Sequence, residues 1–244
     1  MTAKRYFVIE LILVCILTVL CVSIYKKQID ALETNSINSA QQKVCYLTFD
    51  DGPSNHTEKI LDILKEYDVK ATFFLIGEEM REERRPVIER MKNEGHAIGL
   101  HSNIHDFDQL YVSVDQCVCD FDMQYHTLKE EYGIETKLFR FPGGSACTYM
   151  NGQRQAYIQA MREKGFVSFD WNVSGEDSYG NPTAWSIQKN IFDNIEDYER
   201  PIILLHDINI ADETVDALPA ILERIKAAGY TFETLENAEE YVYR

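Results

Sequence analysis

Short apolar runs recur along the chain from Lys43 onward, each followed by a longer stretch with helical spacing of apolar residues. Val44–Phe49, Ala71–Ile76, Ala97–Leu100, Lys137–Phe141, Phe166–Phe169, Ile202–Leu205 and Tyr230–Leu235 have the length and apolar content of buried strands. Between them, Ile60, Leu61, Ile63, Leu64 and Tyr67 share one helical face. So do Val114, Val118, Phe121, Tyr125 and Leu128, and again Val215, Leu218, Ile221, Leu222 and Ile225. Gly95, Gly133, Gly165 and Gly229 each close a helical stretch just before a strand, where a left-handed residue ends a helix without steric cost. A strand–helix rhythm of this kind builds a parallel sheet. The sheet could be open or closed, and about seven strands suit an α/β fold of the distorted, incomplete (β/α) barrel kind better than a full eight-fold one.

The first residues follow another pattern. Tyr6 to Tyr25 is a twenty-residue run with one charge, Glu10, long enough to span a bilayer as a single helix. Tyrosines at both ends suit the membrane interface, and Lys4, Arg5, Lys26 and Lys27 flank the run. Residues 1–27 are therefore expected to form a transmembrane signal-anchor, with the bulk of the chain outside the cell membrane. The alternative is secretion after signal cleavage, although Cys21-Val22-Ser23-Ile24-Tyr25 offers no Ala-x-Ala site. Residues 28–42, polar and without periodicity, read as a stalk, which leaves 43–244 as the folded domain.

A net charge of −16 argues against the basic face that phosphate binding needs, so nucleic acid is not an expected partner. No obligate protein partner is evident. An exported address permits disulfides. No Cys-x-x-Cys spacing is present, however, so a cysteine zinc site is not expected and Cys45, Cys117, Cys119 and Cys147 read as thiols.

In parallel α/β folds the chemistry gathers at the carboxyl ends of the strands. Asp50 and Asp51 end the first strand candidate, and His101 and His105 follow the third. Arg140 ends the fourth, Asp170-Trp171 follows the fifth, and His206-Asp207 follows the sixth. Two adjacent carboxylates repel each other and resist burial unless a cation joins them. Histidines four apart face one way on a helical turn, and a carboxylate from another loop completes a two-His-one-carboxylate set with an open position. Taken singly, each feature is also what a solvated turn or a packing histidine looks like. Asp207 has no assigned role, and Trp185 reads as a core residue.

Thr48-Phe49-Asp50-Asp51-Gly52-Pro53, His101-Ser102-x-x-His105, Arg140-x-Pro142, Asp170-Trp171 and Leu204-x-His206 stand in this order along the chain. Together they resemble the five ordered motifs of the family-4 carbohydrate esterases, the polysaccharide deacetylases, over essentially Lys43 to Arg244. The resemblance implies metal-dependent hydrolysis of N-acetyl groups on an amino-sugar polymer such as peptidoglycan or chitin. It implies Asp51, His101 and His105 as ligands of one divalent metal, zinc before cobalt, manganese or iron. It also implies Asp50 as general base held by Arg140, and His206 as general acid oriented by Asp170. The backbone N–H of Gly143 would serve as oxyanion donor, and Trp171 and Leu204 as the wall around the acetyl methyl. Some members carry Tyr where Gly143 stands, which leaves the backbone role intact and puts substrate choice in question. Two other readings are a sugar-binding protein without turnover on the same scaffold, and a metal phosphodiesterase. The presence of both Asp50 and His206 weighs against the first, and the acidic chain against the second.

Overall fold

The computed structural model describes residues 21–28 and 43–241. The expected anchor and stalk fall mostly outside the described residues. Residues 21–28 are helical, and among the described residues no helix is long and apolar enough to cross a membrane.

Lys43–Arg244 forms one compact unit around a single parallel sheet. Its strands are β1 (Val44–Gly52), β2 (Thr72–Leu75), β3 (Ala97–Leu100), β4 (Leu138–Phe139), β5 (Val167–Ser168), β6 (Val173–Ser174), β7 (Ile202–His206) and β8 (Thr231–Glu233). Their order is β5-β4-β3-β2-β1-β7-β6, with β8 paired to the start of β1. The helices α1 (Thr57–Glu66), α2 (Arg85–Asn93), α3 (Phe107–Leu110), α4 (Val114–Tyr132), α5 (Arg154–Glu163), α6 (Ala184–Phe192) and α7 (Asp212–Ala227) lie between the strands. The result is the distorted, incomplete (β/α) barrel that the strand–helix rhythm predicts. β6 is the unforeseen strand: Val-Ser is too short to show a periodicity, and only its pairing with β7 makes it one.

Glycine ends the helices as the sequence suggests. At Gly165 (φ 88°) the chain turns left-handed, and Phe166 N–H returns to the carbonyl of Met161 at 3.1 Å. Trp185 is not a core residue but 70% exposed. On α6 the buried face is set by Ile187 and Ile191, one turn apart, and Trp185 stands on the opposite side.

Strand alternation decides which side chains face the barrel interior. Cys45, Leu47 and Phe49 join the large core that also holds the apolar faces of the helices, whereas Val44 and Tyr46 join a smaller cluster with Ala97, Leu138, Phe169 and Ile202. Period two then sends Thr48 and Asp50 to the inner side on β1. The same parity carries His101 after Ala97, Arg140 after Leu138, and Leu204 and His206 after Ile202. The site is thus an extension of the interior face beyond the strand ends.

Candidate active site

Asp50 is fixed by register as well as parity. β1 and β7 pair in parallel with Asp50 opposite His206, which sets the two at one end of neighbouring strands. Asp51 breaks the alternation. Asp50 pairs with Phe74 and Gly52 with Leu75, so Asp51 is an extra residue, and its φ is 72°. A bulge re-aims the side chain that regular pleating would send to the opposite face. Two adjacent carboxylates can thereby serve one cleft.

His101 and His105 do not sit on a helical turn as their spacing suggests. The segment is an irregular loop in which Ser102 (φ 67°) and His105 (φ 48°) are left-handed. The rings still meet, with centroids 5.1 Å apart. Non-glycine residues in such conformations cost about 1–3 kcal/mol each and persist where surrounding contacts over-determine them. His101 Nδ1 lies 2.9 Å from the carbonyl of Arg140, which assigns the proton to Nδ1 and leaves the Nε2 lone pair facing Asp51. The Nε2 atoms of His101 and His105 are 3.3 and 3.2 Å from Asp51 Oδ1.

These three residues fit a divalent ion. One ligand atom from each lies within 4.8 Å of the others, and Asp51 Oδ1 is buried without a hydrogen-bond partner. Burial alone would raise the Asp51 carboxyl, but His101 and His105 hold it well below the usual carboxylate range. Burial disfavours charge on His101 as well, yet the Asp50 and Asp51 carboxylates raise its pKa. The local field therefore calls for positive charge, and the donor set of one carboxylate and two imidazoles suits several first-row metals.

Arg140 is fully buried and hydrogen-bonded through all three guanidinium nitrogens. Nη1 donates to Asp50 Oδ1 at 2.7 Å and to Thr48 Oγ1 at 2.8 Å, Nε to the carbonyl of Phe169 at 2.7 Å, and Nη2 to the carbonyl of Asp170 at 3.2 Å. Its guanidinium also lies over the Phe74 ring, 4.4 Å from the centroid. Asp50 is thus pinned through one oxygen, and its Oδ2 lies 3.6 Å from His101 Nε2.

The carboxylate on His206 is Asp177, which corrects the expectation that Asp170 orients this ring. Asp177 Oδ1 lies 2.7 Å from His206 Nδ1, and its Oδ2 accepts from the His206 N–H and from Thr214 Oγ1, both at 2.8 Å. Asp170 instead accepts from Ser145 N–H at 2.7 Å and Ser145 Oγ at 2.5 Å, which ties down the loop containing Gly143. The motif resemblance assigns that role to Asp170, which follows a recognisable strand candidate. Asp177 follows β6, which has no apolar run. Burial would lower the His206 pKa, but Asp177, with Asp50 and Asp51 behind it, raises it to about 9. His206 is therefore an imidazolium at neutral pH, and its Nε2, 3.3 Å from Ser178 Oγ, faces the cleft.

A cleft of about 370 Å³ unites these groups, lined by Asp50, Asp51, His101, His105 and His206 together with Gly143, Trp171 and Leu204. Every site residue expected from sequence lines it except Arg140 and Asp170, which lie behind it. Phe107, Glu176 and Tyr179 join the lining unforeseen. At Gly143 (φ 73°) a Cβ would lie 3.0 Å from Phe107 Cε1, so the phenyl ring fills the wall where a side chain would stand. Phe107 packs edge-on against His105 and Tyr149, and Tyr179 stands 87% exposed at the rim.

Residues 37–166 match the polysaccharide deacetylase family. A peptidoglycan-N-acetylglucosamine deacetylase of Bacillus cereus is 34% identical over 221 residues, covering 88% of this chain and 78% of that protein. The catalytic domain of peptidoglycan N-acetylglucosamine deacetylase from Eubacterium rectale superposes with a TM-score of 0.77 at 31% identity, covering 83% of this chain and 93% of that one. A family 4 acetyl xylan esterase from Clostridium thermocellum, in complex with a cobalt ion, gives a TM-score of 0.65 at 29% identity, covering 79% and 88%.

Proposed function

The chain belongs to the polysaccharide deacetylase family, and from that premise we propose that it removes N-acetyl groups from amino sugars of a cell-wall polymer, peptidoglycan first. The observation that carries this reading is the pair of oppositely poised protonic groups around one metal-ligand set. Asp50 is an acceptor locked by Arg140, and His206 is a donor locked by Asp177. Asp51, His101 and His105 would hold a divalent ion, zinc in our reading, which would supply electrophilic polarisation of the acetyl carbonyl and a more acidic water.

Asp50 takes a proton from the attacking water as its oxygen adds to the carbonyl carbon. The Gly143 N–H is the donor assigned to the developing oxyanion. Proton transfer from His206 Nε2 to the sugar nitrogen lets the C–N bond break, giving acetate and a free amine. Trp171 and Leu204 form an apolar wall for the acetyl methyl, and Phe107 shapes the side that a residue at 143 builds in other members. The exposed Tyr179 suits stacking against a sugar ring. The name of the B. cereus relative supports peptidoglycan, and the xylan esterase neighbour makes acetylated xylan the necessary comparison.

The test is acetate release from peptidoglycan, chito-oligosaccharides and acetylated xylan, before and after chelation and with metal added back. Release from the amino-sugar polymers, lost on chelation and restored by a divalent ion, is expected. Asp50→Asn is expected to retain the ion and lose about 10²–10⁴ in rate. No release from any polymer by metal-loaded protein favours a sugar-binding role, and an Asp50→Asn variant within tenfold of the parent removes Asp50 as base.

A further inference from the structure

Two buried carboxylates outside the cleft have no part in the reaction above. Asp207, fully buried, directly follows His206. Its carboxylate accepts hydrogen bonds from Ser54 Oγ and, at 2.5 Å, from Thr57 Oγ1, and its N–H donates to the carbonyl of Asp50 at 2.8 Å. Ser54 N–H in turn donates to Thr57 Oγ1 at 2.7 Å. These groups open α1, whose N-cap residue, His56, makes no side-chain cap. Asp207 therefore binds, from the end of β7, the Ser54 and Thr57 hydroxyls where α1 begins. It also explains Gly52. A Cβ there would lie 2.6 Å from Asp207 Oδ2, so the glycine after the two aspartates admits the carboxylate at close range.

Asp120 on α4 does the equivalent for the histidine loop. It is buried, and its Oδ2 accepts from Asn103 N–H at 2.6 Å, with the Ile104 N–H as a second donor. Asn103 and Ile104 are the residues between Ser102 and His105. The two segments so held are those in which Asp51, Ser102 and His105 take positive φ. Each carboxylate thus grips backbone or hydroxyl groups within a few residues of a candidate ligand, and neither lines the cleft.

We propose that Asp207 and Asp120 are positioning residues, latching the two ligand loops so that Asp51, His101 and His105 are gathered before an ion arrives. The inference rests on the reading that these three residues bind a divalent ion. The experiment titrates Co²⁺ into the full-length protein by visible absorption, alongside metal-free thermal unfolding. The variants are Asp207→Ala, Asp207→Asn, Asp120→Ala, Asp120→Asn and Thr57→Val. Outer contacts of this kind typically contribute about 10–100-fold in metal affinity, and each alanine variant is expected to lose that much. Thr57→Val should weaken binding in the same direction, and the asparagine variants, which keep an acceptor, should recover at least half of the loss on a logarithmic scale. If an alanine variant does not fold, Thr57→Val and the asparagine variants decide. Co²⁺ affinity within twofold of the parent in the folded alanine variants and in Thr57→Val, whatever happens to the melting temperature, overturns the proposal and leaves both residues merely structural. A parent protein that takes up no Co²⁺ overturns the underlying metal reading instead, and the latch falls with it.

Discussion

Asp177 sets the pH at which His206 keeps its proton. Desolvation works against the imidazolium, but the carboxylate 2.7 Å away and the two aspartates beyond prevail, raising the pKa to about 9. The folded pKa is raised, so the pair stabilises the fold fully below the ordinary value near 6.5 and loses that contribution as pH rises through about 9. An acid must be protonated to act, so kcat/KM should hold through neutrality and fall on a limb near that value. Asp177→Asn leaves the ring buried without its charge partner, and the limb should move to about 6.5 or below. The rate deficit at pH 8 should then exceed that at pH 6 by at least about tenfold. A pH–rate profile whose limb is the same in both proteins would remove Asp177 from this role. The contrast with Asp170 shows what the sequence could not reveal. Asp50, His101, Arg140 and His206 were legible because each ends an apolar run. Asp177 sits three residues beyond a two-residue strand, and only folding brings it to His206.

The strands act as rulers. Fully buried strands announce themselves as apolar runs, which is why β1 through β4 are visible in the sequence. Parity then determines which residues at their ends face inward, and parallel register determines that Asp50 stands beside His206. The bulge at Asp51 is not legible, because nothing in Asp-Asp-Gly-Pro distinguishes an extra residue from an ordinary turn. Nor is the histidine loop, where spacing suggested a helix and a left-handed backbone does the same work. Arg140 ties the ruler ends together, joining β1 through Thr48 and Asp50 to the end of β5 through Phe169 and Asp170. Removing one partner of a buried ion pair leaves the other charged and unpaired, at a cost of about 3–5 kcal/mol. Arg140→Leu should therefore lower the free energy of unfolding by that amount, seen as a lower denaturant midpoint with little change in slope, in addition to slowing the reaction. Equilibrium urea unfolding measures it, and a loss below about 1 kcal/mol would show that Asp50 finds other compensation.

The whole chain places this chemistry in a setting of strong negative charge, which limits where it can work. A chain of net charge −16 is repelled by polyanions and by anionic lipid surfaces, so electrostatics alone would not hold it at a membrane. If residues 1–27 are a retained anchor, as their apolar run suggests, the attachment is hydrophobic rather than electrostatic. The stalk then limits reach. Fifteen residues, 28–42, extend to at most about 50 Å, so the polymer accessible to such an enzyme is the layer next to the membrane. In a bacterial host, the full-length chain should sediment with membranes, and protease added to protoplasts should release an active fragment of roughly the size of 43–244. A chain recovered in the medium with residues 1–27 removed would identify a cleaved signal. Activity spread evenly through the wall, rather than confined to membrane-proximal material, would follow from the same result.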